Sequence, residues 1–126
     1  MKINATSEKL EKIRADALVV FLFQREKPSG EIEELDKALS GAITETIKLG
    51  DFKGRLYEVT SIYTHKKVSA IRILLVGAGK KADFEPRVAR NIAGSAARWA
   101  VKLGAKKLAV ALREDVNAEE VIEGVG

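Results

Sequence analysis

Residues 17–23 form an unbroken apolar run behind Asp16, closed by the charged loop Arg25-Glu26-Lys27-Pro28-Ser29-Gly30. A run this short and this uniformly apolar predicts a strand buried on both faces. From Glu31 the spacing changes. Ile32, Leu35, Leu39, Ile43 and Ile47 recur every three or four residues, the apolar stripe of a helix. Ser40-Gly41 interrupts that stripe, so two short helices or one kinked helix are expected. Gly50, at the head of Gly50-Asp51-Phe52-Lys53-Gly54, is the natural cap. Upstream, residues 3–6 read as a short first strand and residues 7–14 as a polar connection or a helical turn.

The second half alternates in the same way. Residues 55–63 have strand character, with Tyr57, Val59 and Tyr63 on one face. A polar turn, Thr64-His65-Lys66-Lys67, leads into residues 68–76, which end in the core sequence Ile71-Arg72-Ile73-Leu74-Leu75-Val76. This pair predicts an antiparallel hairpin. Gly77-Ala78-Gly79-Lys80 then breaks the strand. A long helix is expected over residues 83–103, with Pro86 in its first turn, where its missing N–H costs little. Val88, Ile92, Ala96, Trp99 and Leu103 form its stripe, so Trp99 is expected between helix and sheet. Gly104 closes the helix, residues 107–112 form the last clear strand, and Asn117 caps a final helix carrying Ala118, Val121 and Ile122. The class is α/β with a mixed β-sheet flanked by helices, a single domain over residues 1–126 without repeats or linkers.

Composition narrows the chemistry. A hydrophobic content of 46% supports a core, and 32% charged residues point to a soluble globular chain. The longest apolar run is far shorter than the ~20 residues that cross a bilayer. No signal-type apolar segment follows Met1-Lys2-Ile3-Asn4-Ala5-Thr6. The expectation is a cytoplasmic protein with no membrane contact. Cysteine is absent, which removes disulfides, thiolate nucleophiles and Cys-based zinc sites. His65 is the single histidine, and its polar surroundings read as a solvated turn rather than the pocket a catalytic base needs. Gln24 is the single glutamine, and Asn4, Asn91 and Asn117 are the asparagines, a poverty of amides usual in proteins from hot environments.

Three groups of residues are candidates for chemistry. Gly77-Ala78-Gly79-Lys80 ends a buried strand, where α/β sheets often take ligands. It is too short for a phosphate loop, and Lys81 stands where that loop needs Ser or Thr. A plain strand-to-helix turn is expected. Arg87, Arg90, Arg98 and Lys102 recur at near-helical spacing, beside the apolar stripe, and are the candidate anion or nucleic-acid contacts. A net charge of +4 is compatible with that role without requiring it. A solvated helix flank is favoured, because no aromatic residues are interleaved to stack on bases. Among the acidic residues, Glu31, Glu33, Glu34 and Asp36 sit at a helix start, where carboxylates suit the dipole, and Glu114-Asp115 sit in a loop. No group makes an active site or a metal site.

Several segments, in order, resemble the amino-terminal domain of leucine aminopeptidases, the cytosol aminopeptidase family. They are Asp16-Ala17-Leu18-Val19-Val20, Leu35-Asp36 followed by Ser40-Gly41-Ala42-Ile43, then Gly50-Asp51-Phe52-Lys53-Gly54-Arg55, and Arg72-Ile73-Leu74-Leu75-Val76-Gly77-Ala78-Gly79-Lys80. The resemblance implies a macro-domain-like fold. It also implies a parent enzyme that removes amino-terminal residues from peptides with two divalent ions, zinc, manganese or magnesium, that activate water. The family's ligands and catalytic residues lie in a carboxy-terminal domain, in motifs such as Asn-Thr-Asp-Ala-Glu-Gly-Arg, and no such string occurs here. No catalytic, metal or cofactor residue is therefore carried over, and the fragment is expected to be a non-catalytic accessory and assembly domain. Glu119-Glu120-Val121-Ile122-Glu123-Gly124 looks like the helix before the linker to that domain. Its implied partners are the catalytic domain in cis and the parent's homo-hexamer. Two alternatives accompany this reading. One is a nucleic-acid module using the basic row, a capacity the resemblance attributes to some bacterial members. The other is macro-type ADP-ribose binding, in which Asp16 matches the adenine-binding aspartate. Against that, Val20-Phe21-Leu22-Phe23-Gln24 replaces the polar Asn-Ala-Ala-Asn and triple-glycine segment of macro domains.

Overall fold

The computed structural model describes residues 2–6, 8–111 and 113. A five-stranded sheet of order β1-β5-β2-β4-β3 forms the middle layer, from β1 (Lys2–Thr6), β2 (Ala17–Leu22), β3 (Val59–Tyr63), β4 (Arg72–Gly77) and β5 (Lys107–Ala111). Every neighbouring pair is parallel except β3 with β4. Placing β2 between β5 and β4 accounts for its continuous apolar sequence, since a central strand covered on both faces has no solvent side. The mixed α/β expectation is met. The last strand is described to Ala111, and the expected helix after Asn117, with Glu114, Asp115 and residues 119–124, lies outside the described residues.

Period-two alternation divides the core between the faces. Leu18, Val20, Leu22, Ile73 and Leu75 face the helices α1 (Gly30–Ala38) and α2 (Ala42–Lys48). Leu35 and Ile43 of those helices and Leu39 between them answer, all buried, as the stripe predicts. The break at Ser40-Gly41 separates two helices, with Ser40 at φ 58° and Gly41 at φ 82°. Asp36 makes the break tolerable. It is buried, its Oδ1 accepts the amides of Ile43 at 2.7 Å and Thr44 at 3.2 Å, and its Oδ2 accepts the Thr44 hydroxyl. A carboxylate there supplies the acceptor that the free N–H groups of α2 need. Asp36, grouped by sequence with the acids at the start of its own helix, thus caps the following one.

On the other face Val19, Phe21, Leu74, Val76, Leu108 and Val110 meet α3 (Pro86–Lys102). Pro86 occupies its first turn and Gly104, at φ 79°, follows its end, as expected. The packed residues are Ala89, Ile92, Ala93, Ala96, Ala97 and Ala100. Trp99 is 39% exposed, so the expected burial of its ring is corrected. The alanines let the helix axis come close to the sheet. A bulky ring fits only at the edge of such a contact. The buried face is rotated by roughly 60° from the expected stripe, at ~100° per residue. The same rotation puts Arg87 and Arg98 opposite the core rather than beside it.

The hairpin is shorter than expected. Strand pairing begins at Val59 and, on the partner, at Arg72. Residues 64–71 instead fold back, burying Val68 and Ala70 against the α1 side, while Ser69 N–H donates to Glu11 O and Ile71 N–H to Ala15 O. The polar connection before β2 is a single turn, Leu10–Lys12, that buries Leu10 and Ile13.

Candidate functional site

The segment before β3 crosses the carboxyl ends of β2 and β4 as a strap. Phe52, 1% exposed, anchors it in the α1 side of the core. Gly54 O accepts the Gly79 amide at 2.9 Å, Tyr57 N–H donates to Gly77 O at 3.1 Å, and Gly77 N–H donates to Glu58 O at 2.7 Å. The Glu58 carboxylate closes the strap on itself by accepting the amides of Lys53 at 2.9 Å and Arg55 at 3.1 Å. The contact is main chain on main chain, and it depends on missing side chains. A Cβ on Gly77 would lie 1.9 Å from Arg55 O, and one on Gly54 would lie 2.6 Å from Phe23 O. The Asp-Phe-Lys-Gly turn and the Gly-Ala-Gly-Lys strand end are therefore two sides of one joint. That is why residues 55–58 fail to extend β3 despite their composition, and why Tyr57 sits at φ 68°.

A second closure covers the end of β2. Arg113 Nη1 donates to Phe21 O at 2.8 Å and to Glu26 Oε1 at 2.7 Å, Nη2 pairs with Glu26 Oε2 at 2.6 Å, and the guanidinium lies 5.1 Å from the Phe23 ring centre. Glu26 Oε1 also accepts the Phe23 amide at 2.9 Å. The charged loop gave no signal of this clamp, because its partner stands far along the chain. Phe21 and Phe23 are buried in the α3-side core.

Asp16 lies just before β2. Its Oδ2 accepts the amides of Lys106 at 2.7 Å and Lys107 at 2.8 Å, so the carboxylate fastens β2 to β5. The Lys107 and then the Lys106 amide hold its carboxyl below the ordinary value of 3.8. His65 is exposed in the hairpin loop, at φ 52°, its ring tilted 6.3 Å from that of Tyr63. It meets the expectation of a solvated turn residue.

Arg87, Arg90, Arg98 and Lys102 are all exposed on α3. Arg87 pairs with Glu85 at 2.9 Å, and the Lys102 ammonium stands 5.7 Å from the Trp99 ring centre. An aromatic ring does accompany the basic row, contrary to the sequence reading, together with Val101 at 62% exposure. Among the described residues no three His, Asp or Glu side chains group as metal ligands, so the side chains described do not fit a pair of metal ions. No helix of the described residues is long and apolar enough to cross a membrane.

The fold places the chain in the macro-domain-like class of α/β proteins. It superposes on a macrodomain of Mycobacterium tuberculosis DarG with a TM-score of 0.71 at 14% identity, covering 96% of this chain and 85% of that one. It also superposes on a mutant of tomato leucine aminopeptidase with a TM-score of 0.75 at 21% identity, covering 99% of this chain and 27% of that one. Sequence goes further than fold. Residues 19–126 match the cytosol aminopeptidase family, N-terminal domain, and the chain belongs to that family. A probable cytosol aminopeptidase of Sulfurihydrogenibium sp. (strain YO3AOP1) is 31% identical over 128 residues, covering 99% of this chain and 25% of the relative. One of Thioalkalivibrio sulfidiphilus (strain HL-EbGR7) is 34% identical over 105 residues, covering 83% and 21%. The chain thus spans about a quarter of the length of the curated relatives it matches.

Proposed function

We propose that this chain is the non-catalytic accessory domain of a cytoplasmic, metal-dependent leucyl aminopeptidase, and that it serves assembly by packing against a catalytic domain in cis. The parent in this reading is a homo-hexamer whose two divalent ions are held outside this domain. The poverty of amides adds the expectation of a heat-adapted source. The observation that carries the reading is the strap. Within a family defined by peptide hydrolysis, this domain spends the carboxyl ends of its central strands on closing its own core. Ligand chemistry on α/β sheets is usually built at those ends. The test is turnover of leucine p-nitroanilide by the purified 126-residue chain, with manganese or zinc added. No turnover is expected. Metal-dependent turnover that follows the protein through purification overturns the reading.

The exposed Trp99 beside Arg98 and Lys102 favours a second reading, a surface for nucleic acid. Weak, salt-dependent duplex binding is expected, unchanged when Arg87 and Arg98 become Ala. Tight binding that weakens on those changes, with the salt slope falling by about one per contact removed, promotes the second reading over the first.

A further inference from the structure

Beside the strap, at the carboxyl ends of β2 and β4, lies an open hollow of about 260 Å³. Its lining has two kinds of surface. Leu56, Ala78 and Val88 supply apolar wall, with Leu56 seated against Gly79. Gln24, Arg55, Lys80 and Asp83 supply polar ends. Among the described residues none of those four side chains makes an ion pair or a side-chain hydrogen bond, whereas the neighbouring Glu58, Glu26 and Arg113 are all engaged. Two cations, one anion and an amide therefore surround one apolar recess without neutralising each other.

We propose that this hollow binds a free α-amino acid with an aliphatic side chain. The guanidinium of Arg55 and the ammonium of Lys80 match its carboxylate, and Asp83 matches its ammonium. The aliphatic group takes the wall formed by Leu56, Ala78 and Val88, and the Gln24 amide has both a donor and an acceptor for the zwitterion. Asp83 sets the class. A site for phosphate or a dicarboxylate gains nothing from an anion in its lining and is repelled by it, while a zwitterion needs one. The volume suits a molecule of this size, below the range of ~300–1,000 Å³ typical of drug-sized ligands. The hollow lies at the rim that the strap leaves open, with Arg55 and Leu56 of the strap in its lining. Tyr57, next to Leu56, holds a positive φ of 68°, and such strain clusters at ligand clamps. The assignment rests on this lining alone and does not depend on the activity of the parent.

The test is a ¹H–¹⁵N titration of the 126-residue chain with L-leucine, leucinamide, 4-methylpentanoate and inorganic phosphate. Leucine is expected to shift the amides of Leu56, Ala78, Gly79 and Lys80 saturably, with a dissociation constant on the order of 1 mM or tighter. Leucinamide lacks the carboxylate and 4-methylpentanoate lacks the ammonium, and each is expected to bind at least about tenfold more weakly, a loss of one charge-assisted contact. Arg55→Gln and Asp83→Asn alter exposed side chains, so folding is preserved, and each is expected to weaken leucine by a similar factor. Three results overturn the proposal: no saturable shift at these amides, phosphate binding as tightly as leucine, or leucine affinity unchanged in both variants.

Discussion

The carboxyl ends of β2 and β4 and the outer face of α3 both attract attention as ligand surfaces, and the molecule treats them in opposite ways. At the strand ends the chain closes on itself, main chain to main chain, and the joint works because Gly54 and Gly77 have no side chains. Along α3 the surface is made of long side chains, Arg87, Arg98, Trp99 and Lys102, held away from the core by a row of alanines. A glycine-rich strand end is usually read as room for a phosphate. Here most of that room is taken by the protein's own backbone, and a small hollow remains at its rim. Of the stripe expected in the core, Ile92 and Ala96 are buried and Trp99 stands on the open surface.

Breaking the joint should have the largest effect. Gly77→Ala brings a Cβ to 1.9 Å from Arg55 O, a backbone oxygen that also accepts the Glu58 amide at 3.0 Å, so the backbone itself must shift. A loss above about 4 kcal/mol, or failure to accumulate as soluble protein, is expected in urea melts or expression trials. A melt within about 1 kcal/mol of the parent means that the strap is loose. The next contrast compares the two helical faces. Leu35→Ala empties a fully buried site between α1 and the sheet and should cost roughly 2–5 kcal/mol. Trp99→Ala removes a ring that is 39% exposed at the edge of α3 and should cost about 1 kcal/mol. Equal losses in the two variants place Trp99 in the core and undo the rotation described for α3.

The contrast also explains what could be read from sequence. Where large apolar residues do the packing, as in β2 or the stripe Leu35, Leu39 and Ile43, the period names the buried face directly. On α3 the packing residues are almost all alanine, which carries little hydrophobic weight, so the heavier Trp99 and Leu103 drew the stripe toward themselves. The antiparallel pair was legible from two β-rich runs around a polar turn. Its ends were not, because residues 55–58 have strand composition but obey the glycines of a distant loop. Asp36 looked like a first-turn acid until the kink placed the amides of Ile43 and Thr44 above it. The hollow at the strand ends was invisible for the same reason. Gln24, Arg55, Lys80 and Asp83 come from separate segments and meet only when the strap is laid down.

The closed strand end is the claim on which the rest stands, and amide hydrogen exchange tests it most directly. Gly77, Gly79 and Tyr57 each donate across the strap joint. If the strap is part of the folded core, these amides should exchange as slowly as those of Leu74 and Leu75 in β4, through the same global opening. Exchange of the three amides within the dead time, with Leu74 and Leu75 still protected, would contradict the account. The strap would then be a movable lid over an open crevice rather than a built-in closure.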